Sequence, residues 1–520
     1  MDAASSWSRG YPIREAYPPA WHGFQSPAHL RLVCALMGVA WDVGPDTPLS
    51  IAEVGCGTGY TAQLLAASNP HWQVLGLDYN PAHVAEARSM VAEAGLGNAR
   101  FIDADLAELS DADVDALPEF DLVTVHGVWS WVADPVREGV LRLLRRRLKP
   151  GGLVFMGYNA LPGASGALGL ARLVRQSMLS GASSAECVAD ASRRVIELLA
   201  AEPAHLPQSG WRKLLTGEVK GARLGYLLHE FETEHWRPCF HADVAAALAG
   251  ARCEYVGSAT IDENFPAMSL SPAQQAVWSS APDSATRELL FDMCVPRAFR
   301  RDVFVRGKRP VAAQGAVDKL WLAASTLDTA VPKLHTQAGE AELPGPIAKA
   351  VLSALAQRPH RIGELCRLPG CEKVAPGELA ALLVGARCAV ALWHEPGGAS
   401  DLSEALATSR RFNAMAATRL APYGVGGGQL GVAVPALGGG LTASPLELAA
   451  ANLSALWWQE RAGAGAGQAQ QAPEVDWLIG RLIPPDAAPP EEVLAGLRAA
   501  LVGLLRDRWP VWKALGALGH

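Results

Sequence analysis

Residues 53 to 59 read EVGCGTG, an acidic residue followed by glycines at positions 55, 57 and 59, directly after the mostly apolar run Leu49-Ser50-Ile51-Ala52. A strand is predicted over Ser50–Val54 and a helix over Thr61–Ser68, so this stretch sits where a strand hands over to a helix. Backbone N–H groups face outward there, at the carboxyl edge of a parallel sheet, where ligands bind in such folds. Glycine turns the chain sharply and removes the Cβ that would hold a ligand away. Working outward, Gln73–Asp78 reads as a second strand, and Asn80-Pro81 supplies a helix cap and a proline at the first helical position. Val84, Ala87, Val91 and Ala94 share one helical face, and Gly95 closes the helix. Ala99–Asp103, Phe120–Val125 and Leu153–Gly157 are further strand candidates. A helix from Asp134-Pro135 carries Arg145, Arg146 and Arg147 in its last turn, where cations are favoured. Alternation of this kind predicts an α/β fold, a parallel sheet covered on both faces.

The totals bound the rest. The chain has 520 residues, half of them hydrophobic, with a net charge of −7. That size suggests several domains, and the acidic balance argues against a broad nucleic-acid surface. The nine cysteines are scattered and odd in number, which fits a reducing cytoplasm better than a disulfide framework. Met1-Asp2-Ala3-Ala4 begins no signal sequence, and no stretch is apolar for long enough to span a bilayer. Cys366, Cys371, Cys388 and His394 match no common zinc spacing, and His229-Glu230 has Thr233 where a second zinc-binding histidine would stand. No metal is expected.

Glycine at position 60 would complete a dinucleotide fingerprint, but Tyr60 stands there. Glu53 would also repel a pyrophosphate. Asp78, ending the second strand, is placed to accept both hydroxyls of a ribose, and Asp105 after the third strand to meet an adenine amino group. These groups describe a nucleoside carrying positive charge, and S-adenosylmethionine fits. The pattern Glu53-x-Gly55-x-Gly57-x-Gly59, with Asp78, Asp105 and the LKPGG of residues 148–152 in order, resembles the class I methyltransferases. Cofactor contacts are expected from Glu53, Gly55, Cys56, Gly57, Gly59, Asp78, Tyr79, Asp105, Leu106, His126 and Gly127. Cys56 is read as a small residue whose backbone touches the ligand, not as a nucleophile.

After the fourth strand the chain reads HGVWSWV, residues 126–132, without the N/D-P-P-Y/F/W motif or Pro-Cys pair of base methyltransferases. A wider resemblance is to bacterial methyltransferases that carry a methyltransferase regulatory domain. It rests on QSPAHL (25–30), HGVWSWV, YNALPG (158–163), LLHEFE (227–232), Phe240-His241 and FRRDVFVRG (299–307). It spans about residues 10 to 310. Characterised members include protein-lysine methyltransferases acting on a bacterial outer-membrane protein, so the resemblance implies a protein substrate. The chain departs from members with Tyr at the position of Trp129 and Trp at that of Ala164. The chemistry implied is in-line displacement at the sulfonium methyl, with His126, Trp131 and Tyr158 as catalytic candidates and Trp129, Trp131, Tyr158 and Asn159 as substrate-binding candidates. The rival readings are a small-molecule O- or N-methyltransferase and a non-catalytic protein that senses the cofactor. The oligomeric state stays open, a homodimer included.

The expected organisation is a Rossmann-like core from residues 1–163 and 251–310, a helical insertion at 164–250, and a mainly helical C-terminal domain at 311–520. Within the insertion, helices are expected near 166–180, 184–201, 210–232 and 241–250. Residues 254–260 and 301–306 are expected to complete the sheet as antiparallel edge strands. Residues 310–345 read as a linker plus a helix, 347–393 as a winged-helix-like module, 424–440 and 462–473 as loops, and 491–508 as a closing helix.

Overall fold

The computed structural model describes residues 18–178, 184–206, 209–218, 233–328, 333–336, 339–398, 401–420, 429–461, 472–483 and 489–518. The LLHEFE stretch, His229-Glu230, most of the 462–473 segment and the later part of the helix expected over 210–232 lie outside these residues.

A seven-stranded sheet organises the first three hundred residues: β1 (Ser50–Val54), β2 (Gln73–Asp78), β3 (Ala99–Asp103), β4 (Phe120–His126), β5 (Leu148–Asn159), β6 (Cys253–Ser258) and β7 (Phe299–Arg306). Their spatial order is β3-β2-β1-β4-β5-β7-β6. The pairs among β1 to β5 are parallel. Helices α1 (Pro27–Leu36), α2 (Tyr60–Ser68), α3 (Pro81–Ala94), α4 (Asp111–Asp115) and α5 (Asp134–Arg147) accompany these strands. The sheet is the Rossmann-like methyltransferase arrangement expected from the sequence. Asn80 caps α3 by accepting from the Ala82 N–H, and Gly95 ends it in the left-handed conformation.

Three expectations need correction. Only β7 runs against the sheet; β6 pairs antiparallel with β7 and therefore runs with the others. β7 is not an edge strand either, because it is inserted between β5 and β6. β5 begins at Leu148 and not at the expected Leu153, so the LKPGG segment belongs to the strand.

Helices Leu168–Met178, Ser184–Ala200 and His241–Ala249 form where the insertion was expected, while Gly210–Leu215 is a short helix ended by Thr216. Residues 310–345, expected as a linker plus a helix, hold the short helix Ala313–Val317 but also the strand Trp321–Ala324 and the hairpin Lys333–Thr336/Gly339–Glu342. Trp321–Ala324 is the middle strand of a small antiparallel sheet with His360–Arg361 and Ala389–Ala391. Helices Gly345–Gln357, Ile362–Leu365 and Pro376–Gly385 lie between those strands in the chain. Part of the expected 424–440 loop is a hairpin, Leu430–Val434 with Gly439–Ala443. Its strand Leu430–Val434 is buried throughout. The closing helix runs from Glu491 to Gly503 and continues through a π turn into Trp509–Ala514.

The C-terminal segments pack directly on one face of the sheet layer. Tyr60 of α2 donates its hydroxyl to the Gly431 carbonyl at 2.5 Å and packs its ring 5.4 Å from Phe412. Thr408 and Ser409 donate to the Ala67 carbonyl at 2.6 and 3.1 Å. Buried side chains from α2, β1, β7 and the C-terminal helices form one continuous hydrophobic cluster.

Candidate active site

The carboxyl rim of the sheet opens into a cavity of about 500 Å³, within the usual range for small-molecule sites of roughly 300 to 1,000 Å³. The glycine loop forms one wall, and its three glycines serve different ends. Gly55, at φ 66°, faces the Val128 side chain, which a Cβ would meet at 2.2 Å. Gly59, at φ 72°, lies against the Phe101 ring, which a Cβ would meet at 2.1 Å. Both are therefore required by packing, and Gly59 does not line the cavity, contrary to its expected ligand contact. Gly57, at φ 56°, has nothing within 4 Å of where a Cβ would stand. It is the position that leaves room for a ligand.

Asp78 ends β2 beside this loop. Its Oδ2 accepts from the Gly57 N–H at 2.7 Å and its Oδ1 from the Asn80 N–H at 2.9 Å, with His83 Nδ1 3.3 Å away. A carboxylate has about four acceptor sites, so these three contacts fix its orientation and leave capacity for a hydroxyl donor. Glu53 is buried under the loop and accepts from the Ala62 N–H at 3.0 Å. Burial, opposed by that N–H and reinforced by the charge of Asp78, pushes its carboxyl up to about 8. A nearby positive charge would reverse that shift. Tyr79, Asp105 and Leu106 continue the same wall. Cys56 lines the cavity too, but burial and the two carboxylates hold its thiol well above its ordinary value, so no thiolate is available as nucleophile.

The opposite half of the rim is built by β4, β5 and β7. Register places His126, Gly157 and Arg301 in one row across these strands. A Cβ on Gly157 would come within 2.5 Å of His126 Nδ1 and 3.2 Å of the Phe299 ring, so the missing side chain makes space between the two flanking residues. The His126 ring lies 4.2 Å from that of His22 and 5.4 Å from that of Phe299. Burial, then the charge of Arg301, lowers the His22 imidazole to about 4. Burial, His22 and Arg301 hold His126 well below its usual value. Both rings are neutral at physiological pH. Among the described lining residues the carboxylates are Glu53, Asp78 and Asp105, all on or just after β1, β2 and β3. None belongs to the β4–β5–β7 half.

Of the substrate-facing candidates, Trp131 and Asn159 line the cavity, as do His126 and Gly127. Asn159 is held by the Trp236 indole N–H, which donates to its Oδ1 at 3.0 Å. Tyr158 and Trp129 do not reach the cavity. Successive strand residues point to opposite faces, so Tyr158 turns away from the side of Gly157 and Asn159. Its hydroxyl donates to Asp302 Oδ2 at 2.6 Å inside a fully buried network with His241 and Arg300. Trp129 is buried in the hydrophobic cluster on the other face of the sheet, its carbonyl accepting from Arg137 Nε at 2.8 Å. Neither is placed to touch a substrate.

The sequence reading missed the roof. Pro18, Pro19, Ala20 and His22 lie over the cavity. They are held by Thr61, whose hydroxyl donates to the Ala20 carbonyl at 3.1 Å and accepts from the His22 N–H at 3.3 Å. Trp21 between them donates its backbone N–H to the Gln429 carbonyl at 2.7 Å. Phe299, Arg301, Trp211 and His235 were also missed as lining residues. Phe299 and Arg301 lie in the FRRDVFVRG stretch, which carried the resemblance without marking them for the cavity; the others have no local motif, because contacts remote in sequence bring them in. Among the described residues no three side chains of metal-binding type gather, and no helix is long and apolar enough to cross a membrane.

The cavity fits S-adenosylmethionine: an open glycine for close approach, an oriented carboxylate at the end of β2, and a buried carboxyl that a cation would ionise. Comparison with known proteins agrees. Residues 51–152 match the family model "Methyltransferase domain", and residues 224–306 match "Predicted methyltransferase regulatory domain". An uncharacterized protein of Synechocystis sp. is 29% identical over 368 residues, 69% of this chain and 71% of that one. A malonyl-[acyl-carrier protein] O-methyltransferase of Paenibacillus sp. is 33% identical over 117 residues, 22% of this chain and 41% of its own length. The structure of PKMT2 from Rickettsia typhi in complex with AdoHcy superposes with a TM-score of 0.63 at 16% identity, covering 96% of this chain and 99% of that one. Loop, carboxylate, sheet order and both family matches together make the chain a class I S-adenosylmethionine-dependent methyltransferase that carries a methyltransferase regulatory region.

Proposed function

We propose that this enzyme methylates the side-chain nitrogen of a lysine in a protein substrate. The observation that carries the reading is the chemistry of the β4–β5–β7 half of the cavity. Trp131 and Phe299 give it aromatic walls, the neutral imidazoles of His22 and His126 lie beside each other in it, and the described lining carboxylates all belong to the other half. A lysine amine has an ordinary pKa near 10.4 and must be neutral to attack. Burial without a carboxylate partner lowers that value. The full-length likeness to PKMT2, a fold resemblance, is in keeping with this acceptor.

In this reading Glu53, Gly55, Cys56, Gly57, Asp78, Tyr79, Asp105, Leu106, His126 and Gly127 hold the cofactor, and Trp131 and Asn159 face the acceptor. When bound, the cofactor supplies an electrophilic methyl group on a sulfonium. The protein's own task is to align the amine with it, exclude water and keep the amine uncharged, which is catalysis by positioning and electrostatics. The helical insertion at 164–250, whose Trp211 and His235 reach the mouth, and the region at 311–520 govern access of the acceptor.

Incubation with methyl-labelled S-adenosylmethionine and cell extract tests the acceptor. Label that enters protein, resists alkali and is recovered as methyllysine after hydrolysis is the expected result. Label released by mild alkali would mean methyl esters, and label confined to small metabolites would mean a small-molecule acceptor. Either overturns the lysine reading.

A further inference from the structure

Strand alternation divides the FRRD segment of β7 between two environments. Arg300 and Asp302 point into the buried network already described, where Arg300 also donates to Asp292 at 2.7 Å and Glu288 at 2.6 Å. Arg301, between them, points to the other face and lines the cavity. Its surroundings are unlike those of its neighbour. The guanidinium lies 4.5 Å from the centre of the Phe24 ring and 5.3 Å from that of Phe299. Its one hydrogen bond among the described residues is a long one, 3.5 Å to the Thr260 hydroxyl, and its Nε is buried with no partner. The nearby carboxylate of Glu263 is engaged elsewhere, accepting from Arg297 at 2.8 Å and the Ser258 hydroxyl at 2.6 Å. Two neutral imidazoles, His22 and His126, and the guanidinium of Arg387 complete the groups around it, so nothing negative neutralises it directly.

A guanidinium in a ligand cavity, braced by two rings and lacking an ion pair, is a fork for a planar anion. Carboxylates fit such a fork bidentately. We infer that Arg301, steadied by Phe24 and Phe299, is a carboxylate-binding residue at the β4–β5–β7 end of the cavity. Gly157 contributes by leaving the row between His126 and Arg301 free of a side chain. The carboxylate has two sources that share this chemistry: the amino-acid end of the cofactor, and an acidic group on the acceptor. The inference depends on the cavity being the cofactor site, not on lysine being the acceptor.

Calorimetry separates the sources without any turnover. Binding of S-adenosylmethionine is compared with that of decarboxylated S-adenosylmethionine in the wild-type protein, in Arg301→Gln and in Arg301→Lys. If the cofactor supplies the carboxylate, the wild type binds the decarboxylated form about ten- to hundredfold more weakly. Arg301→Gln then removes the discrimination and Arg301→Lys keeps part of it. If the acceptor supplies it, cofactor affinity is alike in all three proteins. KM for the labelled protein acceptor then rises at least about tenfold in Arg301→Gln, and malonate inhibits the wild type competitively with that acceptor but not the variant. Because the first comparison is made within the wild type, a variant that folds poorly does not remove the test. Equal binding of both cofactor forms, with no malonate inhibition and an unchanged acceptor KM, overturns the inference and leaves Arg301 as a brace between two rings.

Discussion

Gly57 and Gly59 share a left-handed backbone but answer to different neighbours, open space for one and the Phe101 ring for the other. Gly59→Ala should therefore cost stability, as a lowered urea midpoint, because a buried ring must shift. Gly57→Ala carries only the conformational cost of its positive φ, about 1–2 kcal/mol, yet should weaken cofactor binding more than Gly59→Ala does. Glu53 gives a pH signature. Its carboxyl ionises near 4.5 when unfolded but only at about 8 in the fold, so the native state holds the extra proton between those values. Stability from this group is full below pH 4.5 and declines as pH rises toward 8. Glu53→Gln should flatten that decline, read from urea midpoints across the window. At this scale the sequence was legible wherever backbone geometry and charge order decide. Glu53, Gly57, Asp78 and Asp105 all reach the cavity as expected. Tyr158 was misread although its neighbours held the answer: on a strand, Asn159 and Tyr158 cannot both face one cleft.

The row His126–Gly157–Arg301 shows how elements bring together residues that no single motif contains. Parallel pairing sets β4 beside β5, and the antiparallel insertion of β7 then brings a residue from position 301 level with the end of β4. Gly157→Ala should disturb that row, since its Cβ would meet both His126 and Phe299; the expected readout is weaker cofactor binding and reduced methyl transfer by a protein that still folds. The hairpin Leu430–Val434/Gly439–Ala443 works similarly on α2. Tyr60 opens α2 directly after the glycine loop and binds Gly431 through its hydroxyl. Tyr60→Phe should lower stability by about 1–2 kcal/mol, measured by denaturant unfolding. The glycine-rich composition of 424–440 concealed this hairpin. Its buried strand holds only Leu430, Gly431, Val432, Ala433 and Val434, too few residues for periodicity to separate strand from loop, and its hydrogen bond to α2 comes from a residue hundreds of positions away.

Across the whole molecule, the C-terminal region completes the catalytic half as a structural part of it. Trp21 is pinned by Gln429, and the roof residues beside it cover the cavity. The sheet was legible from sequence because each strand–helix unit carries its own signals. The roof and the small sheet around Trp321–Ala324 were not, because distant contacts stabilise them. Asp78, at the end of β2, is expected to grip the sugar of a sulfonium nucleoside. The most direct measurement is calorimetric titration of S-adenosylmethionine into the wild-type protein and Asp78→Asn, with unfolding curves confirming that both are folded. The wild type should bind, with affinity at least about tenfold weaker in the variant; equal affinity in two folded proteins would rule out the sugar contact, and no binding by the wild type would rule out the cofactor site.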